Sequence, residues 1–185
     1  MDYDDLLLNW LRLLREHEAV AEQLGQKYQY IMVDEYQDTN KIQGDIIDRL
    51  AAQHHNLLVV GDDAQSIYAF RGANYENILK FPERYPDCKV FKLETNYRST
   101  PQICELANQC IRFNEHQFQK DLYATRADGE LPALIATATP RGQAEFIAQR
   151  ILEMREQNVS MDQMACLYRS HYQSLELQLE LTKRS

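Results

Sequence analysis

The sequence predicts an α/β protein made of two small lobes that meet near residue 90, each a parallel sheet covered by helices. Three observations point there. Short apolar runs at 29–34, 57–60 and 89–93 are too short for helices and too apolar for loops. Segments of helical periodicity separate them, as parallel strands require. The same alternation then starts again beyond residue 99.

The elements follow in order. Leu7, Trp10, Leu11 and Leu14 share one helical face behind the acidic turn Asp2-Tyr3-Asp4-Asp5, and a second short helix is expected over 18–27. Residues 29–34 read as a buried strand. Ile42, Ile46, Ile47 and Leu50 mark the next helix, which leads into Leu57-Leu58-Val59-Val60 and stops at Gly61. A helix is expected over 75–84 and a strand over 89–93. Ser99-Thr100-Pro101 is a helix start with Pro near the first position, and Ile103, Leu106, Ala107, Cys110 and Ile111 form its apolar stripe. Strands are expected at 133–137 and 164–168, around a helix opened by Pro140 whose face carries Ala144, Ile147, Ala148, Ile151 and Leu152. In the last segment Leu175, Leu177, Leu179 and Leu181 alternate with polar residues as in a strand. Leu, Glu and Gln are helix formers, and no β-branched residue precedes Thr182, so helix is the expectation.

Composition narrows the function. The 185 residues are 44% hydrophobic and 26% charged, ordinary for a globular protein with a core. The formal charge of -8 provides no basic footprint, so any nucleic acid must be held in a local groove. The four cysteines, Cys88, Cys104, Cys110 and Cys166, contain no CxxC pair and read as reduced thiols of a cytoplasmic protein. No run approaches the roughly 18 apolar residues that span a bilayer, and the acidic start is unlike a signal peptide, so no membrane partner is expected.

Three constellations carry chemistry. In Tyr30-Ile31-Met32-Val33-Asp34-Glu35-Tyr36-Gln37-Asp38 a strand delivers two adjacent carboxylates to a sheet terminus, where open α/β sheets bind ligands. One acid of such a pair can fix the water shell of Mg2+ while its neighbour orients or deprotonates an attacking water, which points to a nucleoside triphosphate. In the stretch from Val59 to Ala73 a second strand ends in Gly61-Asp62-Asp63, followed by Gln65 and then by Tyr68, Phe70 and Arg71. The Gln65 carboxamide suits a terminal phosphate, and the aromatic faces suit unpaired bases, each stacked base being worth about 1–3 kcal/mol. In Leu93-Glu94-Thr95-Asn96-Tyr97-Arg98-Ser99 the arginine can reach a phosphate across a cleft and the tyrosine can stack on a base. Plainer readings stand beside these: solvated acids ending a strand, a loop amide at Gln65, core aromatics at Tyr68 and Phe70, and a helix-start ion pair at Arg98.

In this order the segments resemble the UvrD/Rep/PcrA-type superfamily 1 DNA helicases. Val33-Asp34-Glu35-Tyr36-Gln37-Asp38-Thr39-Asn40 corresponds to their Walker B motif, Gly61 to Ala73 to motif III, and Asn96-Tyr97-Arg98-Ser99 to motif IV. The resemblance implies parts of two RecA-like lobes, a truncated P-loop NTPase helicase fold. Residues 1–89 would be the C-terminal part of the first lobe and 90–185 the N-terminal part of the second. It implies ATP and Mg2+ as cofactors, single-stranded DNA as partner, and a 3′ to 5′ translocase in repair, replication or recombination. Asp34 would hold the metal through water, with Glu35 beside it as metal-side acid and catalytic base. Gln65 would contact the γ-phosphate and the hydrolytic water, Arg98 would contact the γ-phosphate, and Tyr97 would stack on adenine. Tyr68 and Phe70 would stack on DNA, with Arg71 coupling that groove to the nucleotide. Phe70 stands where the family usually has Trp, and Ala64 where an acid is usual.

None of the six glycines begins a Gly-Lys-Ser/Thr phosphate loop, so the expectation is an internal piece of a helicase that does not hydrolyse ATP by itself. Exposed strand edges in such a piece would favour self-association. The alternative is a non-hydrolysing nucleic-acid or protein binding module on the same scaffold.

Overall fold

A computed structural model describes residues 2–184 and divides the chain into two compact units, Met1–Leu131 and Pro132–Ser185. The class is α/β, as the sequence predicts.

The first unit opens with α1 (Tyr3–Glu16) and α2 (Glu18–Lys27). A capping box starts α1: the Asp5 amide donates to the Asp2 carboxylate at 2.9 Å and the Asp2 amide to Asp5 at 3.1 Å. Strand β1 (Ile31–Val33), α3 (Lys41–Ala51) and β2 (Leu57–Val59) form a βαβ unit, with β1 and β2 parallel in the register Ile31↔Leu57 to Val33↔Val59. Asn40 and Gln43 box the start of α3 in the same way as Asp2 and Asp5 do for α1.

Two apolar clusters flank this unit. Leu11, Leu14 and Ile46 join α1 to α3, with Leu7, Ala21 and Leu24 around them. Trp10, expected on this face, is exposed. Tyr36, Ile78 and Phe81 form the second cluster, under Val33, Ile47, Leu57 and Val59. Alternate strand residues therefore point inward, whereas Met32 and Leu58 are exposed. Among the described residues, helices and their loops therefore cover one face of this sheet, the face of Val33, Leu57 and Val59.

The helix expected over 75–84 forms as two short pieces, α4 (Glu76–Leu79) and α5 (Phe81–Arg84). Pro82 has no amide proton to donate to the Ile78 carbonyl and its ring crowds that turn, so the helix stops before Lys80 and Pro82 sits in the first turn of α5. A second βαβ unit follows, with β3 (Thr95–Asn96), α6 (Pro101–Ile111) and β4 (Tyr123–Ala124), its strands parallel in the register Thr95↔Tyr123. The stripe expected inside α6 is largely on its outer side. The buried residues are Cys104 and Asn108, because the Asn108 side chain accepts from the Leu122 amide at 3.0 Å and donates to its carbonyl at 2.9 Å.

In the second unit α7 (Pro140–Glu156) packs on α8 (Leu175–Lys183), with Ala144 and Ala148 buried as expected. The helical reading of 175–181 holds despite its period-2 pattern. Local propensity and the capping of the preceding turn by Ser170 and Gln173 outweigh alternation.

The strands expected at 89–93, 133–137 and 164–168 do not form. A strand exists only where a neighbour completes its ladder, and in these runs Leu93, Leu134 and Leu167 stand 83%, 99% and 98% exposed. No helix among the described residues is long and apolar enough to cross a membrane.

Candidate functional site

Where β1 ends, Asp34 and Glu35 are exposed, and the Asp34 carboxylate accepts the Glu35 amide at 2.9 Å. Glu35 has φ 50° and ψ 41°, left-handed geometry that a non-glycine residue adopts at a cost of about 1–3 kcal/mol. The turn after it holds the strain. Tyr36 is fully buried and its amide donates to the Val60 carbonyl at 3.0 Å, while the Thr39 hydroxyl donates to the Tyr36 carbonyl at 2.6 Å.

Gln37, 1% exposed, is the hinge of the site. Its Nε2 donates to Glu35 Oε2 at 2.8 Å, and its Oε1 accepts the Asp62 amide at 3.0 Å. One side chain thus fixes the acid after β1 to the loop after β2. On the second loop the Asp62 carboxylate accepts the Ala64 amide at 3.0 Å through one oxygen and Gln65 Nε2 at 2.9 Å through the other. The Lys120 ammonium contacts Asp62 directly and lies 3.8 Å from Asp63, whose other oxygen accepts the Phe118 amide at 3.3 Å. Burial pushes the Asp62 carboxyl up, but the bonds from Lys120 and Gln65 outweigh it and hold the group below the usual carboxylate range.

Beyond Gln65, a turn at Ala69–Arg71 ends at Gly72 with φ 85°, a left-handed position that glycine fills without strain. It presents Tyr68 and Phe70, with ring centroids 6.0 Å apart, and Arg71 lies 5.4 Å and 5.5 Å from the two rings. Phe70 is 78% exposed, so this is a surface platform rather than part of the core. After β3, Asn96 Oδ1 accepts the Arg98 amide at 2.9 Å and the Ser99 amide at 2.7 Å, an Asx turn that turns Tyr97 and Arg98 outward. The Arg98 carbonyl accepts from Arg126 at 2.8 Å, and its guanidinium has no bonded partner among the described residues.

A cleft of about 790 Å³ within the first unit is lined by Asp34, Glu35, Asp62, Gln65 and Lys120 at its polar end. The geometry therefore brings Asp34, Glu35 and Gln65 to one cavity. Tyr97, Arg98 and the Tyr68–Phe70–Arg71 platform are not in its lining. Among the described residues no group of three or more His, Cys, Asp or Glu side chains is arranged to hold a metal ion. Asp34 and Glu35 supply hard oxygens only, which fits Mg2+, an ion that keeps most of its waters and takes few protein ligands.

Sequence reasoning missed three residues here. Gln37 lay inside the acid motif without a role. Lys120 meets Asp62 across 58 positions of sequence, and no local pattern announces that contact. Arg84 joins Asp48 at 2.7 Å and the Tyr36 hydroxyl at 2.8 Å beneath the cleft, which charge counting along the chain does not reveal.

Residues 1–86 match the model of the UvrD/REP helicase N-terminal domain and residues 91–185 that of the UvrD-like helicase C-terminal domain. The chain is 40% identical over 174 residues to the ATP-dependent DNA helicase PcrA of Staphylococcus epidermidis strain RP62A, covering 94% of this chain and 24% of that protein. Identity to PcrA of Staphylococcus aureus strain Mu50 is 41% with the same coverage. The chain thus spans about a quarter of the length of the curated relatives it matches.

Proposed function

The chain belongs to the UvrD/Rep helicase family, and we propose that it forms part of the motor core of a cytoplasmic 3′ to 5′ DNA translocase driven by ATP hydrolysis. Residues 1–89 are the end of the first RecA-like lobe and 90–185 the start of the second. Working in repair, replication or recombination, the whole protein couples each hydrolysis to a step along single-stranded DNA.

The observation that carries this reading is the hydrogen-bonded chain that runs from Glu35 through Gln37 to the Asp62 amide and from the Asp62 carboxylate to Gln65, with Glu35, Asp62 and Gln65 lining one cleft. Hydrolysis needs a base and a terminal-phosphate contact held at fixed separation, because a misplaced water loses the gain from orientation. With Oε2 occupied by the Gln37 amide, Glu35 keeps its second oxygen to accept a proton from the attacking water. Gln65 meets the γ-phosphate and that water, and Arg98 approaches the γ-phosphate from the second lobe. Tyr97 stacks on adenine. Asp34 and Glu35 would hold Mg2+ through its waters, and the ion would supply Lewis-acid polarisation of the phosphoryl oxygens. Tyr68 and Phe70 stack on bases, and Arg71, against both rings, ties that groove to the loop bearing Gln65.

The test is an NMR titration of the 185-residue chain with Mg·ATP. The Glu35 backbone and Gln65 side-chain signals should shift, and Asp34→Asn should abolish the shift. No response at either residue would overturn the nucleotide reading and leave a binding module. The chain is also proposed to lack turnover by itself, and DNA-stimulated phosphate release from the purified chain would refute that.

A further inference from the structure

We infer that Lys120 is a positioning residue for Gln65, acting through Asp62, so that the second βαβ unit sets the aim of the amide on the loop after β2. The inference rests on Gln65 facing nucleotide, as proposed above. Lys120 sits in the segment just before β4, and its side chain is largely buried. Its ammonium touches one Asp62 oxygen, while the other oxygen of the same carboxylate holds Gln65 Nε2 at 2.9 Å. A carboxylate pinned at one oxygen cannot rotate freely, so the cation fixes the acceptor that fixes the amide. Asp63 makes the arrangement a two-point dock: it lies 3.8 Å from the same ammonium and accepts the Phe118 amide at 3.3 Å. The charged groups around Asp62 are thus Lys120 and Asp63, with Glu35 tied to its backbone through Gln37.

The dock also has a direction. β4 is parallel to β3, and the loop after β3 carries Tyr97 and Arg98. A shift of β4 would carry Lys120 with it, release or tighten Asp62, and turn Gln65. Information about the second βαβ unit would reach the nucleotide loop through this dock, with no contact from Arg98 needed.

The experiment is side-chain amide NMR of Gln65 in the 185-residue chain. In Lys120→Met the Gln65 Nε2 correlation should move toward that of exposed glutamines and its protons should exchange faster, and Lys120→Arg should restore both. An unmoved Gln65 signal in folded Lys120→Met would overturn the inference. A second measurement needs no substitution: on acidification, the Gln65 amide and Lys120 side-chain signals should follow the Asp62 carboxyl carbon with one shared midpoint. Independent midpoints would overturn it equally. Failure of the nucleotide reading looks different, since Gln65 would then respond to Lys120→Met but not to Mg·ATP.

Discussion

Gln37 Oε1 lies 2.5 Å from where a Cβ on residue 61 would stand, so Gly61 is the space in which the Gln37 carboxamide sits. The Ile78 side chain at 2.8 Å and the Tyr36 backbone nitrogen at 3.2 Å close the other sides. Gly61→Ala should therefore destabilise the first unit by about 1–3 kcal/mol, as overpacking of a filled site does. Urea unfolding is the measurement, and an unchanged midpoint would show that the turn relaxes at no cost.

The same amide makes a second prediction. Gln37→Leu keeps the volume but leaves the Asp62 amide without its acceptor and the Glu35 carboxylate without its donor. The loss should be about 1–3 kcal/mol, set mainly by the stranded buried amide. Glu35 should also become mobile, which the line width of its backbone amide signal would report. If Glu35 stays as ordered as before, the left-handed turn and not Gln37 holds it.

The βαβ order, the helix start at Thr100, and the placing of Asp34 and Glu35 after a strand are legible in the sequence because they depend on neighbours a few residues away. The apolar runs at 89–93, 133–137 and 164–168 have the composition of strands but form none, because a ladder requires a partner, which the run itself cannot specify. The stripe on α6 failed for a related reason: Asn108, polar and unremarkable in sequence, is buried by its bonds to Leu122. Lys120 and Arg84 were invisible because their partners lie 58 and 36 positions away.

The Arg84 network sets an alkaline limit. Arg84 bonds Asp48, the Tyr36 hydroxyl and the Asn77 carbonyl, and the Tyr85 hydroxyl donates to Asp48 at 2.9 Å. Burial is the main cause that raises both phenols, reinforced at Tyr85 by Asp48 and opposed at Tyr36 by Arg84. A phenol whose pKa is raised on folding contributes stability that is complete below its unfolded value of 10.0 and is lost as pH climbs through the folded value. Stability should therefore fall above pH 10, and Tyr85→Phe should flatten that fall. Thermal unfolding followed from pH 8 to 11 tests it, and an identical decline in the variant would remove Tyr85 as the cause.

Stacking, not charge, should dominate contact with single-stranded DNA. With a net charge of -8 and Arg71 as the cation against the stacking rings, few phosphates are neutralised at the platform, so affinity for oligo-dT should depend only weakly on salt. Phe70, 78% exposed and tilted toward Tyr68, then carries the load. Phe70→Ala or Tyr68→Ala should each weaken binding by about 1–3 kcal/mol, from about fivefold to over a hundredfold, in fluorescence anisotropy with labelled oligo-dT. Arg71→Ala should act differently, lowering affinity and flattening the salt slope further by up to about one unit if the guanidinium meets a phosphate. If it only stiffens the two rings, affinity falls and the slope stays. Phe70→Trp in a Trp10→Phe background offers a direct reading, because Trp10 on α1 is the chain's single tryptophan. A base stacked on position 70 should quench the new indole on addition of oligo-dT, and an unquenched indole at saturating DNA would show that the bases stack elsewhere.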